Sequence, residues 1–347
     1  MTVFFRPLFL ILLFLAAFVP SAAKVQAAET GAVVLMYHRF GEGDYPSTNI
    51  RIDQFDAQIE ELKTGGYSVV PLSDVVAAQN SGYPLPEKAV AITIDDAYLS
   101  IYTEAWPRLR EAGFPFTIFA STEAVDRATS GAYKRYMTWD QIRELKDAGV
   151  EIGHHSVTHR HMAAASPETN KQEMTNATAR FKEELGFAPT LFAYPYGEAG
   201  TAVTNVVKEA GFTAAFGQHS GAIGTGDDPY NLPRFALNEE YGDIERFRLV
   251  INTRPLPVSD VEPKDMVVVE GANPPAIGFT LTKDMGNLAG LSCYVSSEGK
   301  VTIENIGNVR IEVRPSQAFA QGRTRLNCTM QGEGDHWYWF GRLFYVR

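Results

Sequence analysis

Five times along the chain a helix-like segment ends at a glycine, an aromatic or aliphatic residue follows, and an apolar run begins. The junctions are Gly66-Tyr67, Gly113-Phe114, Gly149-Val150, Gly186-Phe187 and Gly211-Phe212. Glycine supplies the left-handed residue that ends a helix, and the apolar residue after it packs back onto the helix end. Repeated helix-to-strand punctuation of this kind restricts the chain to alternating α and β units. The apolar runs between helices, such as Val33 to Met36, Ala89 to Ile92, Phe116 to Phe119 and Leu191 to Ala193, are continuous rather than alternating. Continuous runs suit strands buried on both faces of a parallel sheet, so residues 32 to about 250 predict an α/β domain closed into a barrel-like form.

Local helix signals agree. Asp53 is placed to cap a helix with Phe55, Ile59 and Leu62 on one face, Thr138 to Gln141 has capping-box spacing, and Ser166-Pro167 opens another helix. After Pro255 the helical period fades. Alternating segments at 301–306, 309–313 and 337–346 predict antiparallel strands. We therefore expect a barrel domain over 29–254, a linker at 255–261, and a small all-β, sandwich-like domain over 262–347. The aromatic residues near its end suit either a β core or a sugar-stacking surface, with core the more ordinary use.

At the other end, Arg6 precedes an apolar run from Leu8 to Val19, and small residues lead through Ala23 to Ala27. This predicts a secretion signal over 1–28, cleaved after Ala23 or Ala27. An uncleaved anchor is the alternative, and membrane contact is expected only in that case. Export would place Cys293 and Cys328, the two cysteines of the chain, in an oxidising compartment where they either pair or sit as separate buried thiols. With a formal charge of −10 the chain shows no basic footprint for nucleic acid and none for a polyanion.

Chemistry concentrates where strands are predicted to end. Asp95 and Asp96 follow an apolar strand directly, and two adjacent carboxylates need a cation or a proton to compensate them. Four of the seven histidines fall within residues 154–161. His155 and His159 are four apart, so one helical turn would set both imidazoles on one side, and one carboxylate would complete a two-His, one-carboxylate metal site with open positions. His38 ends the first strand, and Tyr194 to Glu198 forms a Pro/Gly turn at another strand end.

Together these segments resemble the polysaccharide deacetylases, the NodB-homology domains of carbohydrate esterase family four. The family's Thr-Phe-Asp-Asp-Gly motif stands here as Thr93-Ile94-Asp95-Asp96-Ala97. Its His-Ser-x-x-His motif is His155 to His159, and its Arg-x-Pro-Tyr-Gly motif is Ala193 to Gly197. The resemblance covers about residues 32 to 250 and implies a distorted (β/α) barrel. It also implies Asp95 as general base, Asp96, His155 and His159 as ligands of one divalent metal, and the Tyr196 amide as an oxyanion donor. Zinc is the expected metal, with cobalt, nickel or iron also suited to the ligands. The expected activity is hydrolysis of N-acetyl groups on an N-acetylglucosamine polymer or oligomer, such as chitooligosaccharide, exopolysaccharide or peptidoglycan. An O-acetyl esterase and a carbohydrate-binding protein on an inactive barrel are the alternatives.

Three departures from the family pattern matter. Ala97 and Ile94 replace a Gly and a Phe without touching the acids. Ala193 stands where many members carry an arginine that orients the base. That change and the Tyr37-His38 opening look more like the deacetylases of exported poly-N-acetylglucosamine than like the chitin enzymes. Arg234, in Leu232-Pro-Arg-Phe, is our candidate for the missing cation. The family's late Leu-x-His motif is not evident, so His219 is the first candidate for general acid, with His38 second and His161 third.

Overall fold

The computed structural model describes residues 1–3 and 31–347; the secretion signal expected over 1–28 lies outside the described residues apart from the first three. The α/β part runs β1 (Ala32–Tyr37), two short strands β2 (Arg39–Phe40) and β3 (Asn49–Ile50), α1 (Ile52–Thr64), β4 (Ser68–Val69), α2 (Leu72–Ser81) and β5 (Ala89–Asp95). It continues through α3 (Trp106–Ala112), β6 (Thr117–Ala120), α4 (Thr122–Thr129), α5 (Trp139–Asp147), β7 (Glu151–His154) and α6 (Pro167–Leu185). It closes with β8 (Leu191–Ala193), α7 (Thr201–Glu209), β9 (Ala214–Phe216), β10 (Phe235–Ala236) and α8 (Ile244–Ile251).

All five glycine junctions have a positive φ, between 70° and 92°. The expected strands are present at each of them or just after. They form a parallel sheet in the order β10-β1-β5-β6-β7-β8-β9, with β4 beside β5. The sheet curls toward closure. Leu232 N donates to Ala215 O and Gly217 N donates to Leu232 O, so the segment leading into β10 also runs along β9.

Both faces of the sheet are buried, which is why its strands lack alternation. Val33, Leu35, Val90, Ile92 and Ile94 pack with helix residues Phe55, Leu109, Ile142, Phe181 and Phe247. The alternate residues Val34, Ala91, Phe119, Ala193 and Phe216 fill a second cluster. Helix ends follow from local chemistry: Thr138 accepts from Gln141 N in a capping box, and Ser166 accepts from Thr169 N with Pro167 in the first turn. Asp53 is not the cap expected of it. Arg51 holds that position, and Asp53 lies in the first turn of α1, where a carboxylate suits the positive end of the helix.

The remainder is all β: β11 (Thr253–Pro255), β12 (Val258–Glu262), β13 (Val267–Val268), β14 (Ile277–Leu281), β15 (Ser292–Val295), β16 (Gly299–Ile306), β17 (Arg310–Arg314), β18 (Gly322–Gln331) and β19 (Trp337–Val346). These make one curled sheet in the order β11-β19-β18-β15-β16-β17-β14-β12, with β13 on β19, rather than two separate stacked sheets. Residues 255–261, expected to be a linker, run through β11 and β12 of this sheet. Cys293 and Cys328 face each other on β15 and β18 and are joined by a disulfide.

The two parts share a core. Phe192, Tyr194 and Phe212 of the barrel belong to the same apolar cluster as Phe279, Leu326 and Phe344 of the second sheet. β19 approaches the barrel so closely that a Cβ on Gly341 would run into the Ser220 carbonyl. Among the described residues no helix is long and apolar enough to cross a membrane.

Candidate active site

The C-terminal ends of the parallel strands converge on a cavity of about 890 Å³, within the usual size range of small-molecule sites. β5 delivers Asp95 as its last residue. The backbone then enters the left-handed region at Asp96 (φ 76°) and Ala97 (φ 58°). That turn lets two consecutive carboxylates serve different partners, and it explains why the resembled motif has glycine where this chain has Ala97.

Asp95 turns into the barrel and meets Arg234, which sits just before β10. Arg234 Nη1 donates to Asp95 Oδ1 at 2.7 Å and Nη2 donates to Oδ2 at 2.8 Å, and both side chains are wholly buried. The guanidinium is itself held by Thr93 Oγ1 (3.1 Å) and Gly217 O (3.0 Å). Burial pushes the Asp95 carboxyl upward. Arg234, with His155 and His38, more than offsets this and leaves Asp95 below its ordinary value.

Asp96 faces the histidines. Its Oδ1 lies 3.4 Å from His155 Nε2 and 3.2 Å from His159 Nε2, and the potential ligand atoms of the three all fall within 4.8 Å of one another. The expected helical turn is absent. His155 follows β7 and His159 lies in an irregular loop, with Ser156 and His159 at positive φ (66° and 53°). The loop is braced by Glu173 of α6, which accepts from Val157 N (3.1 Å), Thr158 N (2.8 Å) and Thr158 Oγ1 (3.0 Å). Nothing in the sequence singled out Glu173, because a helical glutamate looks solvent-facing until the loop is laid against it.

These three residues fit a divalent metal. His155 Nδ1 lies 2.7 Å from the Ala193 carbonyl, which fixes its proton there and leaves Nε2 as a lone pair, and that Nε2 is buried with no hydrogen-bond partner. Burial drives His159 down to about 4, so it is neutral and free to ligate at neutral pH. Burial opposes ionisation of Asp96, yet the electrostatic pull of the adjacent His155, His159 and His38 side chains holds it far below the ordinary carboxylate range. His154, packed among Phe181, Phe192 and Phe212, points elsewhere and burial lowers it to about 3.

Tyr196 lines the cavity from a short turn after β8 with φ 59°. Its ring contacts His159 at 4.5 Å and stacks on His161 at 3.9 Å. His161 Nδ1 is 2.8 Å from the buried Glu198 carboxylate, so it braces this turn. Of the three candidate acids, His38 lines the cavity, and its charge is felt by both Asp95 and Asp96. His219, the first candidate, is not among the lining residues. It is buried, burial and then Arg342 and Arg234 lower it to about 3, and its Nδ1 finds no partner. The tail aromatics divide: Phe344 is core, whereas Trp339 reaches the cavity.

Residues 82–215 match the family model described as polysaccharide deacetylase. Poly-beta-1,6-N-acetyl-D-glucosamine N-deacetylase of Staphylococcus aureus is 23% identical over 252 residues, 63% of this chain and 83% of that protein. The protein of the same name from Escherichia coli is 24% identical over 230 residues, which cover 55% of this chain but only 34% of that longer relative. The solved structure of IcaB from Ammonifex degensii superposes with a TM-score of 0.55 at 27% identity, covering 61% of this chain and 94% of that one. By this matched segment and by its fold, the α/β barrel of this chain is similar to polysaccharide deacetylases.

Proposed function

We propose that the chain is an exported, metal-dependent N-deacetylase that hydrolyses N-acetyl groups on an N-acetylglucosamine polymer or oligomer and releases acetate. The observation that carries this reading is the pairing of a charged, buried Asp95 with a neighbouring Asp96-His155-His159 group whose His155 Nε2 is buried and unpartnered. A binding protein has no use for either feature. The relatives named above as poly-N-acetylglucosamine deacetylases support the substrate class.

Asp96, His155 and His159 would hold the ion, with zinc the natural occupant. The ion supplies Lewis acidity at the amide carbonyl and acidifies water at neutral pH. Asp95, held ionised by Arg234, takes a proton from the attacking water as its oxygen adds to the carbonyl carbon. The Tyr196 main-chain N–H donates to the oxygen on which negative charge develops. His38 gives a proton to the sugar nitrogen as the C–N bond breaks, so acetate and a free amine leave. The fused β sheet supplies part of the cavity wall, and the deacetylase domain is assigned to residues 29–254. Export by a signal over 1–28 is supported by the Cys293–Cys328 disulfide, which an oxidising compartment preserves.

The test is acetate and amine release from N-acetylglucosamine oligomers by the purified chain, stripped of metal and then given zinc, cobalt or nickel, alongside Asp95→Asn. Activity that returns with metal and is lost in Asp95→Asn is the expected result. A chain that binds metal yet releases no acetate from any oligomer overturns the proposal, and acetylated xylan is then the next substrate to try.

A further inference from the structure

The wall built by the second sheet has a charge pattern that deacetylation of a neutral sugar does not require. On β18, Arg323, Arg325 and Asn327 alternate with the buried Thr324, Leu326 and Cys328, and their common face lines the cavity. Trp339 of β19 fixes Asn327 by donating from Nε1 to Oδ1 at 2.9 Å and packs edge-on against Phe235 of the barrel. This wall is therefore a built surface joined to the catalytic domain.

Arg323 is engaged within the protein, donating to Tyr196 O at 3.3 Å and Gln218 Oε1 at 3.5 Å. Arg325 and Arg246 are not. Neither guanidinium makes a hydrogen bond or an ion pair among the described residues, and Arg246 Nη1 is shielded from solvent without a partner. Both line the cavity, and both lie close enough to Tyr241 to feel it electrostatically, with Arg246 standing 4.8 Å over its ring. The carboxylates of the cavity do not answer them. Asp96 faces the histidines, Glu123 pairs with Arg127 at 3.7 Å, and Glu240 stays outside ion-pair distance of Arg246.

A chain with ten surplus negative charges has carboxylates to spare, yet it leaves two half-buried guanidiniums without one. Withdrawing a cation from water without a partner costs free energy, which a bound anion would recover. Burial depresses both side chains, and Arg323 adds repulsion at Arg325, so the local field favours an incoming negative group. We propose that Arg246 and Arg325 form a subsite for an anionic substituent, carboxylate or phosphate, on a sugar unit of the glycan being deacetylated. The planar guanidinium fork suits either group in a bidentate contact. The inference rests on the deacetylase reading and narrows its substrate to an acidic N-acetylated glycan. The overall negative charge, which by itself speaks against a polyanion, describes the whole surface and not this wall.

The zinc-loaded chain is assayed on an N-acetylglucosamine tetramer, its C6-oxidised form and its 6-O-phosphorylated form at low and high salt. One charge-assisted bidentate contact predicts a kcat/KM about 10-fold or more higher for an acidic tetramer, a preference that shrinks as salt rises. The larger of the two acidic values identifies the substituent. Arg325→Gln and Arg246→Gln each bring the acidic-to-neutral ratio toward one, and the Lys variants retain part of it; thermal melting shows that each variant is folded. Equal values for neutral and acidic tetramers in the unaltered chain overturn the subsite and leave the deacetylase reading standing. If no tetramer yields acetate, that reading fails, and calorimetric binding of the three tetramers still decides the subsite: equal affinities overturn it, and tighter acidic binding lost in Arg325→Gln upholds it.

Discussion

Arg234 and Asp95 are 139 positions apart in sequence and meet through two parallel hydrogen bonds of 2.7 and 2.8 Å, with neither side chain exposed to water. The pair sets the state of the proposed base. Removing Arg234 takes away the largest influence opposing burial and leaves only His155 and His38, so the Asp95 carboxyl rises and the base is ionised only at higher pH. In Arg234→Met we expect kcat/KM at pH 7 to fall by about 10²-fold or more, with the acid limb of the pH–rate profile displaced to higher pH. Breaking a buried pair also costs roughly 3–5 kcal/mol of stability, which a melting curve reports separately. A variant whose acid limb does not move removes Asp95 from the role of base.

Metal removal is expected to abolish turnover and also to lower the melting temperature, because an ion that binds the folded chain alone stabilises it by mass action. His155→Ala should lose metal stoichiometry as well as activity. Asp95→Asn should keep the metal and lose the activity. Elemental analysis of the two purified variants separates ligand from base.

Asp227 offers a test of pH-dependent stability away from the metal. Burial raises its carboxyl to about 6, against an acceptor contact with Gly224 N at 2.8 Å that pulls the other way. The folded chain thus holds a proton that the unfolded chain releases between about pH 4 and pH 6, so this group's contribution to stability falls as pH rises through that window. Asp227→Asn keeps the acceptor and removes the charge. It should stabilise the protein by about 1 kcal/mol at pH 7.5 and by little at pH 4.5, read as two melting temperatures.

The Cys293–Cys328 disulfide closes a span of 35 residues within the second sheet. Loop-closure entropy alone predicts a loss of about 3–4 kcal/mol on Cys293→Ser/Cys328→Ser. Because β18 carries Arg323 onto the Tyr196 carbonyl, the same variant is expected to lose activity before the barrel melts. Deacetylation and near-UV circular dichroism followed through one temperature ramp check the order of the two events.

Much of the site is local and was legible as such. Asp95, Asp96, His155, His159 and Tyr196 stand at strand ends, and a strand end in a parallel barrel is a place that composition and period announce. The glycine junctions announced the strands themselves, since only a left-handed residue turns each helix back toward the sheet. The two imidazoles were expected on a helical turn and instead occupy a loop braced by Glu173, because hydrogen bonds from another helix, not local propensity, hold its positive-φ residues in place.

What the chain alone determined is therefore the alternation of helix and strand, the acid pair and the histidine pair, to which the family resemblance added the need for a cation where Ala193 stands. Tertiary structure decided which arginine answers that need, and it placed His38 rather than His219 on the cavity. It also put β18 and Trp339 beside chemistry more than 100 residues away. The period of a strand tells which side chains share a face, but what that face meets depends on how the sheet curls and on contacts such as Gly341 against Ser220.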